Sequence, residues 1–138
     1  MLLYVTLGTN DLARGIAFYD PIFAVLGVPR LSGWSRSWAG WGHEADREEG
    51  TGFWLCTPFD GRPATAGNGT MVALPAASAA VVRAVHATGL ANGGTDEGAP
   101  GTRPHYEPTF YVAYLRDPDG NKLSCFHFRY DPSEETGS

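Results

Sequence analysis

The first half of the chain places one helical pattern of apolar residues between short β-like runs. A strand is predicted over residues 4–7, and Asp11 is the predicted N-cap of a helix that ends at Gly27. Apolar residues recur along this helix at Leu12, Ile16, Phe18, Tyr19 and Ile22. Pro21 lies inside the pattern and predicts a kink or a break, because proline removes a helical hydrogen bond. Three β-like runs follow the helix, at 29–32, 36–41 and 52–57.

The second half repeats this order. A strand is predicted over 71–74, and Ser78 is the predicted cap of a helix that stops at Gly93-Gly94. The residue pairs Tyr4 and Met71, Asp11 and Ser78, and Gly27 and Gly94 are separated by one constant interval, which indicates a weak internal repeat. Further β-like runs occupy 106–115 and 122–128. The pattern predicts an α+β fold of two βαβββ modules, at about 1–60 and 68–130, followed by a flexible tail at 131–138.

A tight hairpin turn at residues 117–121 is the most specific local signal. Pro118 fixes the backbone angle φ for a turn, and Gly120 accepts the positive φ that closes it. The whole segment 111–127 resembles the last hairpin of the vicinal-oxygen-chelate superfamily, which includes glyoxalase I, extradiol dioxygenases, and fosfomycin and bleomycin resistance proteins. The resemblance extends from Tyr4 to about Tyr130. It implies a single domain over 1–130, in which two curved mixed sheets enclose a cavity and the helices lie outside.

The same resemblance identifies where metal ligands would lie. Metal-dependent members carry histidine at the positions of Tyr4 and Met71, glutamate at Ser124, and sometimes a carboxylate at the position matched here by Leu55. A thioether and neutral hydroxyl groups do not make a tight site for divalent metals, which need imidazole, carboxylate or thiolate. We therefore expect a member of a bacterial branch that has lost the usual metal ligands, with no metal and no cofactor.

Alternation along the strands predicts which side chains line the cavity. The predicted lining residues are Tyr4, Thr6, Phe53, Leu55, Met71, Ala73, Ser124 and Phe126. This apolar and aromatic surface suits a small hydrophobic or aromatic ligand that a few hydrogen bonds orient. The alternative is that these side chains fill the cavity themselves.

A glycine- and proline-rich segment at 93–106 is the second specific signal. It resembles a segment of one bacterial branch of the superfamily that precedes the seventh strand and folds over the cavity mouth. Arg103, His105 and Tyr106 crowd its end and offer an anion-binding fork, a proton carrier and a hydroxyl group. The alternative for Arg103 is a structural ion pair with Asp96 or Glu97.

For the clustered aromatic residues and the remaining histidines, a structural role is the alternative to a role in ligand binding. Trp34, Arg36 and Trp38 share one face of an extended hairpin, with Trp41 on the other, and suit either a core or dimer contact or an aromatic wall at the pocket mouth. The expected surroundings of the remaining histidines are a solvated turn for His43, a partly exposed outer helix for His86, and a helix-covered sheet face for His127.

Composition and charge narrow the class of partner. The chain has 138 residues and a net charge of −5, without a basic cluster, which argues against nucleic acid and anionic membranes. The apolar run at 1–5 is too short for a signal peptide or a membrane span, so we expect a cytoplasmic protein. Cys56 and Cys125 lie in apolar runs and are expected to be reduced.

Three functions remain open at this point. The first is a metal-free binding protein for a small molecule, as in bleomycin resistance proteins. The second is an enzyme that uses His105, Tyr106 or Tyr4 in metal-independent acid–base chemistry, although no catalytic residue can be assigned. The third, a metal-dependent lyase or dioxygenase, is disfavoured by residues 4, 71 and 124. We also expect a homodimer, because clustered tryptophans leave apolar surface to cover.

Overall fold

The computed structural model describes residues 2–32, 35–44 and 52–136. The elements in chain order are β1 (Val5–Gly8), α1 (Leu12–Val25), β2 (Trp38–Trp41), β3 (Phe53–Cys56), β4 (Met71–Pro75), α2 (Ala79–Ala91), β5 (Thr95–Gly101), β6 (Tyr111–Arg116), β7 (Lys122–His127) and α3 (Ser133–Thr136). Trp34 lies outside the described residues.

Two mixed sheets, one in each half of the chain, confirm the predicted α+β class. The N-terminal sheet has the strand order β1-β3-β2, and the C-terminal sheet has the order β4-β7-β6-β5. In each half the first strand pairs in parallel with the last, β1 with β3 and β4 with β7, while the other pairings are antiparallel. This shared arrangement is the structural counterpart of the sequence repeat.

Both main helices begin at their predicted caps. Asp11 Oδ1 accepts a hydrogen bond from Arg14 N at 3.1 Å, and Ser78 Oγ accepts one from Val81 N at 3.2 Å. Gly27, at φ +75°, follows the end of α1. The helix continues through Pro21 without a break. The buried residues on either side of Pro21 anchor α1 to the core, and this packing outweighs the hydrogen bond that proline removes.

The segment 95–101, predicted as an irregular loop, is a strand. β5 pairs antiparallel with β6, but its register shifts on both sides of Gly98. Glycine and proline hid the strand in the sequence, because both residues are depleted in regular strands and mark bulges. In the N-terminal half the opposite occurs: the predicted strand at 29–32 contributes an isolated bridge between Arg30 and Trp41.

One hydrophobic core joins the two halves. The inner faces of both sheets contribute to it, through Leu7 and Leu55 from one sheet and Leu115 and Leu123 from the other. α1 packs against α2, and a Cβ at Gly89 of α2 would lie within 3.5 Å of Phe18 and Ile22 of α1. Because both inner faces belong to this core, the opposite face of each sheet turns away from it; we call these the N-terminal and C-terminal open faces.

Polar contacts hold the predicted hairpin turn against the N-terminal half. The hydroxyl of Tyr19 donates to Asp117 Oδ2 at 2.5 Å, and that of Thr9 donates to Asp119 Oδ2 at 2.5 Å. Asn121 Nδ2 donates to the carbonyl oxygen of Gly8 at 2.9 Å. Burial and the neighbouring carboxylate of Asp117 raise the pKa of Tyr19 well above its usual value, which keeps the donor protonated.

The C-terminal segment contains a short helical turn. α3 follows β7, and Arg83 of α2 pairs with Glu135 at 2.7 Å. Among the described residues, none of the helices is long and apolar enough to cross a membrane.

Candidate functional site

The C-terminal open face carries the residues of β4, β6 and β7 that alternate with those packed in or against the hydrophobic core. Ser124 lies beside Ala73 on one strand and opposite Tyr114 on the other, and Met71 lies beside Lys122. Pairing in register places these side chains on the same side of the sheet. Phe126 follows two residues after Ser124 on the same face.

A groove of about 430 Å³ crosses one end of this face. It is lined by Met71, Glu97, Gly98, Arg103, His105, Tyr106, Tyr114 and Lys122. The Arg103 guanidinium lies 5.6 Å from the centre of the Tyr114 ring, and Lys122 Nζ lies 5.2 Å from the same centre. The groove therefore combines an aromatic floor with two cations.

The acidic residues proposed as partners of Arg103 pair elsewhere. Asp96 Oδ1 lies 2.8 Å from His86 Nε2, and Glu97 Oε1 accepts from Arg116 Nε at 2.5 Å. Arg103 donates instead to the carbonyl oxygens of Ala99 and Thr102, at 2.6 Å and 3.2 Å. These carbonyl contacts position the guanidinium without neutralising its charge.

His86 is not a partly exposed helix residue, as the sequence predicted, but is buried. α2 packs against β5, and because β5 was not predicted, neither was the cover that it provides. The hydrogen bond from His86 lowers the pKa of Asp96.

Tyr106 and Tyr114 form a hydroxyl pair beside the two cations. Their oxygen atoms are 3.2 Å apart, and burial, followed by the contact with Tyr106, raises the pKa of Tyr114 to about 12. Tyr114 therefore stays protonated near neutral pH and serves as a hydrogen-bonding group rather than as a base.

Ser124 lies on the same face and is fully buried. Among the described residues its Oγ has no hydrogen-bond partner. A buried hydroxyl without a partner is uncommon, and each example calls for a physical explanation.

A row of aromatic rings continues the C-terminal open face away from the groove. The Tyr106 and Phe110 centroids are 6.5 Å apart, Phe110 meets Phe128 edge to face at 5.3 Å, and Phe128 stacks on Phe126 at 5.7 Å. Tyr114 meets Phe126 at 6.3 Å and connects the row to the groove. Tyr106 and Phe128 are exposed, so the row forms an apolar surface.

The N-terminal open face is also aromatic. A Cβ placed on Gly40 would overlap three ring atoms of Trp54, so the indole ring lies against the backbone of β2. Trp38 meets Trp54 edge to face at 5.3 Å. Thr6 pairs in register with Trp54, and Tyr4 precedes β1 with 54% of its surface exposed. This face is a stacking platform.

The face predicted for Phe53 and Leu55 is wrong. Both are buried, and the Phe53 ring contacts Tyr19 and Phe23 of α1. The sheet register explains the error: Ser124 pairs with Ala73, the repeat aligns Ala73 with Thr6, and Thr6 pairs with Trp54. Trp54, not Leu55, is therefore the first-half counterpart of Ser124.

The structure divides the predicted site residues between the two faces. Met71, Arg103, His105 and Tyr106 line the groove on the C-terminal face, and Ser124 and Phe126 lie on the same face. Tyr4 and Thr6 belong to the N-terminal face. The predicted opposite faces of Trp38 and Trp41 are confirmed, since Trp41 is buried in the core.

Several residues of the open faces were missed, and three of them bear directly on the site: Tyr114, Lys122 and Trp54. The hairpin turn at 117–121 fixes the pairing of 116 with 122 and of 114 with 124, so Tyr114 and Lys122 follow from the position of Ser124. Trp54 had no such signal, because four successive apolar residues in β3 give no alternation to read.

The positions matched to family metal ligands do not fit a divalent metal. They hold Tyr4, Met71, Ser124 and, by the corrected register, Trp54. None of these side chains is an imidazole, a carboxylate or a thiolate. In the part of the chain that the structure describes, no group of three or more histidine, cysteine, aspartate or glutamate residues could hold a metal ion.

Solved structures similar to this chain share its architecture. A glyoxalase/bleomycin resistance protein from Albidiferax ferrireducens T118 is 39% identical, with a TM-score of 0.76, over 90% of this chain and 95% of its own. A glyoxalase-related enzyme from Fulvimarina pelagi is 19% identical, with a TM-score of 0.70, over 96% and 88%. A glyoxalase/bleomycin resistance protein/dioxygenase family enzyme from Burkholderia phytofirmans PsJN is 20% identical, with a TM-score of 0.69, over 91% and 96%. The last two comparisons show the fold alone.

No family model matches the chain, and no curated protein matches it.

Proposed function

This chain belongs to the glyoxalase/bleomycin resistance protein family, and on that basis we propose that it binds a small hydrophobic or aromatic molecule without a metal ion. The observation that carries the proposal is the aromatic character of both open faces. Trp54 lies flat against Gly40 on one face, and Tyr114 forms the floor of the groove on the other. Rings held in this way present flat surfaces on which an aromatic ligand stacks at low entropic cost.

The proposed cavity forms between the open faces of two protomers. Within one protomer both sheets turn their inner faces to the shared core, so the open faces point away from it. Several large apolar side chains on these faces are exposed: Tyr4, Met71, Tyr106 and Phe128. Apposing the N-terminal face of one protomer to the C-terminal face of its partner would cover them, and the two-fold repetition of that contact makes a closed dimer.

The acid–base alternative has less support. The raised pKa of Tyr114 makes the Tyr106–Tyr114 pair a poor base near neutral pH. His105 lines the groove but is exposed, and the described residues include no carboxylate that orients it. A general base normally has such an orienting partner.

Calorimetric titration of chelator-treated protein with 1-naphthoate tests the proposal. We expect binding that survives EDTA and does not strengthen with Ni²⁺, Mn²⁺ or Zn²⁺. Trp54→Ala should weaken binding by about tenfold, because it removes a stacking surface. Phe59→Ala is the matched control, because Phe59 is a fully exposed aromatic residue outside both faces. Binding that requires an added metal would contradict the proposal, as would the absence of binding.

A further inference from the structure

We propose that Arg103 and Lys122 together hold the anionic oxygen atoms of the ligand, so that the ligand is an aromatic oxyanion, either a carboxylate or a phosphate ester. This inference rests on the proposed function and names the ligand class of the same site. It is carried by two cations that line one groove and that, among the described residues, form no ion pair with a carboxylate.

Arg103 is positioned but still has donors available. A guanidinium group has five N–H donors, and the two carbonyl oxygens of Ala99 and Thr102 use two of them. Gly98 makes this placement possible, because a Cβ there would lie 3.1 Å from Arg103 Nη2 and 2.9 Å from Tyr114 Cδ2. The fork is therefore held against the aromatic floor of the groove before a ligand arrives, which suits recognition of a planar oxyanion.

Lys122 is the only lysine of the chain, and it faces the same groove. Its Nζ lies over the Tyr114 ring at 5.2 Å, and among the described residues it has neither a hydrogen bond nor an ion pair. All three of its N–H donors remain available to a ligand.

The charge balance of the groove favours an anion. Glu97 is its only carboxylate among the lining residues, and its charge is matched by Arg116 at 2.5 Å. Arg103 and Lys122 therefore have no carboxylate partner among the groove's lining residues; the charge of Arg103 also acts on Asp96, which lies outside the groove and pairs with His86. Two cations in one groove act on the same bound molecule, and exclusion of water by a hydrophobic ligand strengthens their attraction for its charged group.

Ser124 adds a second, independent observation on the same face. Its Oγ is buried and unpartnered, and it lies two residues along β7 from Lys122 and directly opposite Tyr114. Because Ser124 does not line the groove, its hydroxyl can reach an oxyanion at Lys122 only after the side chains that cover it have moved.

The test compares three compounds that share one ring system: 1-naphthoate, 1-naphthyl phosphate and the neutral 1-naphthamide. We expect at least one of the two anions to bind about tenfold or more tightly than naphthamide, since hydrogen bonds to charged groups are strong. Lys122→Gln and Arg103→Gln should each remove most of that difference. An unchanged far-UV circular dichroism spectrum and an unchanged urea unfolding midpoint would show that the variants fold. Arg62→Gln, an exposed charge outside the groove, is the matched control.

The outcomes separate this inference from the proposed function. Equal affinity for the three compounds, or an anion preference that both groove variants retain, would overturn the oxyanion site and leave the proposed function standing. If none of the compounds binds, the proposed function itself fails. The preference between carboxylate and phosphate ester identifies which oxyanion the site holds, and added salt should weaken the anions alone.

Discussion

At the residue scale, Gly40 determines the shape of the N-terminal open face. Any side chain at this position would occupy the space of the Trp54 ring. We predict that Gly40→Ala lowers the free energy of unfolding by about 1–3 kcal/mol, as overpacking does, and shifts the tryptophan fluorescence. Urea unfolding measures the cost.

A double-mutant cycle provides the control for this prediction. In a Trp54→Ala background the space is open, so Gly40→Ala should cost much less than it does in the natural sequence. An equal cost in both backgrounds would show that the ring of Trp54 does not rest on Gly40.

Burial of the Cys125 thiol predicts that the free energy of unfolding depends on pH. Burial raises the pKa of this thiol to about 12, so the folded state keeps a proton that the unfolded chain loses nearer pH 8.5–9. The stabilising contribution is complete below that range and is lost as the pH rises towards 12. Between pH 9 and 10 the loss should approach about 1.4 kcal/mol per pH unit.

Urea unfolding between pH 7 and 10 checks this for the natural sequence and for Cys125→Ala. The variant should lose less stability above pH 8.5, and its curve should run parallel to that of the natural sequence below pH 8. Identical slopes over the whole range would mean that Cys125 does not carry the effect.

Residue positions were predictable where a polar anchor fixed the register. Counting residues along β7 from the turn at 117–121 places Ser124 and Phe126 on the open face. The same counting along β6 and β7 places Tyr114 and Lys122 there. In β3 the alternating residues are all apolar, so Phe53 and Leu55 could not be told from Trp54 by pattern alone. Whether Arg103 pairs with Asp96 depends on the contact between Asp96 of β5 and His86 of α2. No local sequence pattern encodes that contact.

At the element scale, Gly89 sets the distance between α2 and its neighbours. A Cβ there would overlap Leu115 and would lie within 3.5 Å of both Phe18 and Ile22. Helix propensity alone favours alanine over glycine by about 1 kcal/mol, whereas packing at this contact opposes it. We predict that packing prevails and that Gly89→Ala is destabilising, by about 1–3 kcal/mol.

The sign of the change makes this prediction decisive, and thermal unfolding reports it. Ala87→Gly is the control, because Ala87 is exposed on α2. The stability change of this variant should reflect the difference in helix propensity alone. A stabilised Gly89→Ala variant would show that Leu115 does not pack against the backbone of α2 at Gly89.

The elements differed in how well the sequence revealed them. α1 and α2 carry caps, a helical apolar stripe and a glycine after the C-terminus, and both were predicted. β5 lacks such signals, since its glycines and proline are typical of loops, and its strand conformation depends on pairing with β6. Long-range pairing of this kind overrides local propensity.

At the scale of the whole molecule, we propose that each protomer carries two half-sites. The N-terminal face supplies the stacking platform of Trp54, and the C-terminal face supplies the groove with Arg103 and Lys122. The sequence predicted an α+β fold with two mixed sheets, which the structure confirms. It did not predict that both inner faces share one core, because packing between modules leaves no periodic signal along the chain.

Complementation between defective protomers tests whether the cavity forms between faces of two different protomers. One chain carries Trp54→Ala and the other carries Arg103→Gln with Lys122→Gln, and dimers that contain one of each are isolated through different affinity tags. If the cavity joins the N-terminal face of one protomer to the C-terminal face of its partner, each mixed dimer retains a single intact cavity. We predict that titration with 1-naphthoate detects one site of natural affinity per mixed dimer, although neither variant binds well by itself. A mixed dimer that binds no better than the separate variants would show that the cavity is not shared between protomers. A chain that remains monomeric in light scattering would show the same.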